Sequence, residues 1–190
     1  DVEIGDYLDD YVGCNVAENY AFGYNGNTTD NIYGHFTPAQ GTKILKGPLA
    51  NLSDGVDNDN DSAIDEAGEE CKLNKFTYCD RLGTYPRAEP SYGPEYYNYM
   101  AGHWQNGAYF TCGGNGYGGT VNTNWAYSGD PGLPGVNTDP SNTCSYWTQI
   151  TAGSNPNDQK MVLGAGPFDF NSGETIEIEY AYVTSFDSSQ

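Results

Sequence analysis

The chain is short of positive charge. Seven Lys and Arg stand against twenty-six Asp and Glu in 190 residues, a formal charge of −19. A surface so negative repels phosphate backbones and anionic headgroups, so neither nucleic acid nor an anionic membrane is an expected partner. Long apolar runs are missing too. None approaches the roughly 18 residues that span a bilayer as a helix, so no membrane insertion is expected. Only two His occur, His35 and His103, which leaves nucleophilic chemistry few imidazole bases. Neither G-x-S-x-G nor H-E-x-x-H is found. An initiator Met and a signal-type stretch are absent, the pattern expected of a mature form or an excised fragment.

What is abundant points one way. Twenty-five Gly, ten Pro and seventeen Tyr against two Met describe short strands and many turns rather than long helices. The expected fold is all-β, an antiparallel β-sandwich or jelly-roll-like domain with long Gly/Asn-rich loops and one short helix, spanning 1–190 as a single domain. Alternation over residues 72–78 and the apolar run 161–163 predict strands. Residues 175–183 alternate over nine positions, with Ile176, Ile178, Tyr180 and Tyr182 on one face, and predict a half-buried strand of a hairpin with the 161–163 run, across the turn Asn171-Ser172-Gly173. In PEYYNYMAG, Pro94 suits a first helical turn, Tyr96 and Met100 share a face, and Gly102 suits a stop.

The segment carrying the clearest chemistry is DGVDNDNDSAIDE, residues 54–66. Eight carboxylates fall between Asp54 and Glu70, with no Lys or Arg between Lys46 and Lys72. Asp57, Asp59, Asp61 and Asp65 occupy relative positions 1, 3, 5 and 9 of the loop. Alternating oxygen donors can wrap one sphere, and Ca²⁺ accepts about six to eight oxygens. The expected cofactor is therefore Ca²⁺, in a loop at about 54–70. Its expected ligands are Asp57, Asp59, Asp61, the Ala63 carbonyl and Asp65, with Glu66 and Glu69 as further donors. A solvated acidic loop is the alternative. It is not an EF-hand, whose sixth and twelfth places want Gly and Glu but here hold Ser62 and Gly68.

Five cysteines leave at least one unpaired within the chain. Spacing does not fix connectivity; the pairing expected is Cys71–Cys79 and Cys112–Cys144, with Cys14 free. A catalytic role for a lone Cys is the less favoured use. Gly114, Gly116 and Gly119 make a formal G-x-G-x-x-G, but TVNTNWAYSGDPG follows, which cannot be the helix that a pyrophosphate site needs. Trp104, Trp125 and Trp147 are candidate platforms for stacking sugars, or else core rings.

The Asp-rich loop resembles those of thrombospondin type 3 repeats, D-x-D-x-D-G-x-x-D, with Ser62 in place of Gly. More of the chain resembles a region of large secreted and cell-surface proteins of Bacteroidetes, of the type IX secretion cargo kind. The likeness is carried in order by YVGCN (11–15), FGYNGN (22–27), KGPL (46–49), the acidic loop and EYYNYMAGHW (95–104). It continues through GGNGYGG (113–119), SGDPG (128–132) and GAGPFDFNSGETIEI (164–178). That resemblance implies an extracellular or cell-surface module of a longer chain, with no catalytic motif to carry over. Cys14 sits inside the motif, whereas Cys71, Cys79, Cys112 and Cys144 stand where the pattern has none, which suits two added disulfides.

The function expected is a non-catalytic, calcium-stabilised structural or adhesion module. Its partners would be other domains of the parent chain, surface proteins or polysaccharide. The alternatives are a carbohydrate-binding module using exposed Trp and Tyr, and a glycoside hydrolase fragment, since that chemistry needs only two suitably spaced carboxylates.

Overall fold

Six strands and one helix follow in the order β1 (Asp10–Asn15), β2 (Tyr20–Asn25), β3 (Pro38–Lys46), β4 (Lys75–Asp80), α1 (Gly93–Met100), β5 (Gln159–Gly164) and β6 (Glu179–Phe186). They come from a computed structural model that describes residues 8–186. Residues 1–7 and 187–190 lie outside the described residues. Strands β1, β2, β3 and β6 form one antiparallel sheet in that order, and β4 pairs antiparallel with β5 in a second. The all-β expectation holds, with α1 the short helix.

Residue type explains the local structure. β2 alternates between buried and half-buried positions. Tyr20, Phe22 and Tyr24 fall on its more open face, with ring centroids 5.7 and 6.0 Å apart, and Tyr11 continues the row. Such same-face aromatic rows are a common stabiliser of sheets. β4 is buried on both faces beyond Lys75 because it has cover on two sides. β5 flanks it on one edge, and residues 124–126 bond to the other, through Phe76 N to Asn124 O and Ala126 N to Phe76 O.

The core gathers around β4. Tyr78 meets Trp104, Phe110 and Tyr127, and Trp104 stacks on Phe110 with centroids 3.8 Å apart. Gly113, Gly114, Gly116 and Gly118 all take positive φ, which lets the Gly-rich turn fold down over this cluster. The Gly116 and Gly114 carbonyls there accept the indole N–H groups of Trp104 and Trp147. The turn is a lid on aromatic rings, in keeping with the rejection of a phosphate loop.

Two expectations about the last strand need correction. The strand predicted over 175–183 begins only at Glu179 and is exposed on both faces, and it pairs with β3 rather than in a hairpin with β5, which belongs to the other sheet. β6 is an edge strand beside β3, and among the described residues no layer covers it, so alternation there does not translate into burial. Helix α1 forms with Pro94 in its first turn and Gly102 at φ 82° beyond its end, but it buries Glu95 and Tyr99 and leaves Tyr96 and Met100 exposed. The buried face is fixed by polar anchors. Glu95 accepts from Ser91 N and Oγ at 2.7 and 2.9 Å, and Tyr99 donates to Ala88 O at 2.8 Å.

Candidate metal centre

The acidic loop connects β3 to β4 and is closed at its base by a short ladder. Ala50 N donates to Glu69 O at 2.9 Å, Cys71 N donates to Pro48 O at 2.8 Å, and Leu49 faces Glu70. Inside that clamp the chain winds around Asn58, which is buried. The Asn58 carbonyl accepts from Lys72 N and Asn74 Nδ2 at 3.0 and 3.2 Å, tying the loop centre to the segment that leads into β4. Its own backbone N–H donates to Glu69 Oε1. Asn58 was not singled out from the sequence, because it sits between the aspartates and off their alternating face.

The aspartates bend the loop through their own backbone. Asp57 accepts from Asp61 N (3.1 Å) and Ser62 N (2.9 Å), and Asp61 accepts from Ala63 N (2.8 Å). Such side chain to backbone bonds are why Asp favours turns. Asn60, Ser62 and Asp65 take the left-handed conformation, at φ 62°, 81° and 58°. Ser62 thus adopts the backbone shape that Gly would supply at this place, at a cost of roughly 1–2 kcal/mol.

Two groups of carboxylates converge. One oxygen each from Asp57, Asp59 and Asp61 lie within 4.8 Å of one another, and so do those of Asp59, Glu66 and Glu69. Asp59 belongs to both. Glu69 is only 2 % exposed, and its Oε2 has no hydrogen-bond partner. Glu66 Oε2 is likewise buried and unpartnered. Among the described residues, the cation that pairs with these carboxylates is Lys72, whose Nζ stands 3.8 Å from Asp59 Oδ2. The Glu66 carboxyl is pulled down by a backbone hydrogen bond. Desolvation and the charges of Glu69, Asp61 and Asp59 outweigh that bond and leave its pKa raised. The arrangement is an all-oxygen set, suited to a hard divalent cation.

Of the expected ligands, five carboxylates are thus brought together: Asp57, Asp59, Asp61, Glu66 and Glu69. Asp65 belongs to neither group. Its Oδ1 turns back to accept from Asp54 N and Gly55 N at 3.0 and 3.1 Å, holding the start of the loop against its far side. Ala63 is exposed and is tied to Asp61 through its N–H.

The cysteines divide differently from the expectation. Cys112 and Cys144 form a disulfide with Cα atoms 5.5 Å apart. Cys71 and Cys79 do not pair, and with Cys14 they are buried free thiols. Cys71 lies beside the loop, its Sγ near Asn58 Oδ1 and Pro167 O. Cys79 is carried away along β4, which climbs roughly 3.3 Å per residue, so the approach of Cα atoms that a disulfide needs is not reached. Desolvation pushes the Cys71 thiol up to about 11 and the Cys79 thiol up to about 12, and raises Cys14 well above its ordinary value. Thiols so protonated are poor nucleophiles.

Trp104, Trp125 and Trp147, candidate sugar platforms, are all core rings, exposed by 0, 8 and 5 %. Each indole N–H is spent on a backbone carbonyl, Trp125 on Leu73 O at 2.9 Å and the other two on the Gly-rich turn. They pack in the interior because it is the one place where these loops offer both apolar cover and an acceptor. The large exposed rings are instead tyrosines and phenylalanines, among them Tyr85, Tyr97 and Phe170. Among the described residues, no helix is long and apolar enough to cross a membrane. No family model matches the chain, and no curated protein or solved structure does either.

Proposed function

We propose that the chain is a non-catalytic, calcium-stabilised structural or adhesion module of a larger extracellular or cell-surface protein. The observation that carries this reading is the buried Glu69 carboxylate, whose unpartnered Oε2 converges with Asp59 and Glu66. A buried carboxylate without a counter-charge is costly, and two more beside it compound the cost. A divalent cation removes that penalty. Two groups of three carboxylates that share Asp59 favour Ca²⁺ over Mg²⁺, which keeps most of its waters and takes about one or two carboxylates. The Cys112–Cys144 disulfide supports an oxidising compartment. The likeness to Bacteroidetes surface proteins supports the placement outside the cell and the assignment of neighbouring domains or surface proteins as partners. Sugar stacking on the three tryptophans is set aside, since those rings lie in the core.

Thermal melts in millimolar calcium and in EDTA test the reading. A ligand that binds only the folded state stabilises it by about 2.7 kcal/mol at a hundredfold excess over Kd. For a chain of this size that is a rise in midpoint of roughly 5–10 °C. Equal midpoints, with no heat of calcium binding by titration calorimetry, would defeat it.

A further inference from the structure

At the far end of β4 from the acidic loop lies a cavity of about 520 Å³, within the usual size range of small-molecule sites. Three loops of distant sequence wall it: 82–87, 114–115 and 152–157. Asp80 and Gln159, register partners at the ends of β4 and β5, both line it. Both are buried, and Gln159 Nε2 donates to Asp80 Oδ1 at 3.1 Å. Gln159 Oε1, buried with the rest of a residue only 1 % exposed, has no hydrogen-bond partner. Arg87 places its guanidinium 3.5 Å from Asp80 Oδ2.

The walls are held by their own bonds. Asp80 N donates to Arg87 O (2.9 Å) and Tyr78 Oη to Asn115 O (2.9 Å). Gln149 Nε2 donates to Asn155 O (3.1 Å). Gly83 packs so closely on Asp80 that a Cβ would lie 2.8 Å from the Asp80 Cβ. Polar groups fixed in this way are spared the ordering cost that weakens mobile sites.

The lining selects the ligand class. One carboxylate and one guanidinium side by side leave no net charge to attract an ion. A cation would face Arg87, and an anion would face Asp80 and a chain of net charge −19. An apolar guest would strip water from Asp80, Gln159 and Arg87 with nothing in return. A hydroxyl-rich guest satisfies all of them, donating O–H to Gln159 Oε1 and accepting N–H from Arg87 and Asn115. Its C–H faces would meet Leu82, Ala152 and Pro156, which also line the cavity. The geometry points to a binding site here for a neutral pyranose-type sugar, held by hydrogen bonds rather than by ring stacking. This site is independent of the calcium loop.

The test uses the full chain in calcium and a panel of methyl pyranosides, neutral, acidic and amino, followed by saturation-transfer NMR and by amide shifts of the labelled protein. The expected result is transfer from at least one neutral pyranoside, with shifts confined to residues 80–87, 114–115 and 152–159. Gln159→Met, which removes the free carbonyl oxygen, and Arg87→Gln, on the outer wall, are each expected to weaken binding at least tenfold. Tyr97→Ser, on α1 outside the cavity, is expected to leave it unchanged. If Gln159→Met loses its native spectrum, Arg87→Gln decides. Absence of transfer from every neutral pyranoside overturns the proposal, as does binding of charged sugars alone. Shifts mapping elsewhere, or affinity untouched in the folded variants, overturn it equally.

Discussion

The two ends of β4 solve the same electrostatic problem in opposite ways. At the Asp80 end, three acids each have a base built in. Arg87 lies 3.5 Å from Asp80, Arg81 lies 3.0 Å from Asp158, and Lys160 lies 2.9 Å from Glu89 just behind. At the Lys75 end, the acidic loop packs eight carboxylates, and the ion pair formed there among the described residues is with Lys72, half-exposed and 3.8 Å from Asp59. A pair of that kind contributes about 0–1 kcal/mol. Three of the chain's seven bases pair with acids at the first end, and one pairs with the loop at the second. Neutrality is therefore internal at the first end; under the calcium reading proposed above, it comes from solution at the second.

The comparison breaks most sharply by removing one carboxylate from each end. Asp80→Ala leaves the guanidinium of Arg87 and the amide of Gln159 without their acceptor and should destabilise by about 3 kcal/mol. That loss should be equal in calcium and in EDTA, as read by urea denaturation. Asp59→Asn should cost about 2–3 kcal/mol in calcium, cancelling the ligand's contribution, and little in EDTA. A calcium-dependent penalty for Asp80→Ala would show that the two ends are not independent.

A smaller effect should change sign. Glu69→Gln keeps an acceptor for Asn58 N and removes one buried charge. We expect it to stabilise the protein in EDTA and destabilise it in calcium, each by about 1 kcal/mol. The same sign in both conditions would show that Glu69 does not answer to the cation.

Acidity sharpens the point further. The raised pKa of Glu66 means that the folded, metal-free protein holds that proton more tightly than the unfolded chain. Its contribution to stability is fully present below the unfolded pKa and is lost as pH rises through the folded one. In EDTA, the stability of wild type relative to Glu66→Gln should therefore improve between about pH 7 and about pH 4. Calcium should hold the carboxylate ionised and flatten that trend. The smallest effect is expected from Ser62→Gly, which relieves a left-handed serine and should stabilise by about 0.5–1 kcal/mol with or without metal.

The sequence was legible where one local rule sufficed. Gly and Tyr content gave the all-β class, Pro94 and Gly102 marked the helix, and alternating aspartates marked the loop as a unit. It was not legible where the outcome depended on what lies opposite. Periodicity says which residues of β6 share a face but not that neither face is covered. Tyr96 and Met100 share a helix face as expected, yet the buried face is the adjacent one, chosen by the anchors of Glu95 and Tyr99. Asp65 looked like the other aspartates and instead fastens Asp54 and Gly55. Cys71 and Cys79 are near in sequence, but an intervening extended strand keeps them in separate neighbourhoods. The tryptophans could not be told from surface platforms, since nothing local reveals that Gly-rich turns will fold down and take their N–H groups.

The clamp of Pro48 and Ala50 on Cys71 and Glu69 has an evolutionary consequence. Because the chain leaves and re-enters at adjacent points, everything between is a cassette. Lengthening it costs only about 0.6 kcal/mol per doubling of loop length. Residues 59–68 can therefore be lengthened or trimmed without rerouting β3 or β4, provided that Asn58 keeps its bonds to Lys72 and Asn74. Under the calcium reading proposed above, ion affinity can drift from one descendant to the next while the scaffold beneath keeps its shape.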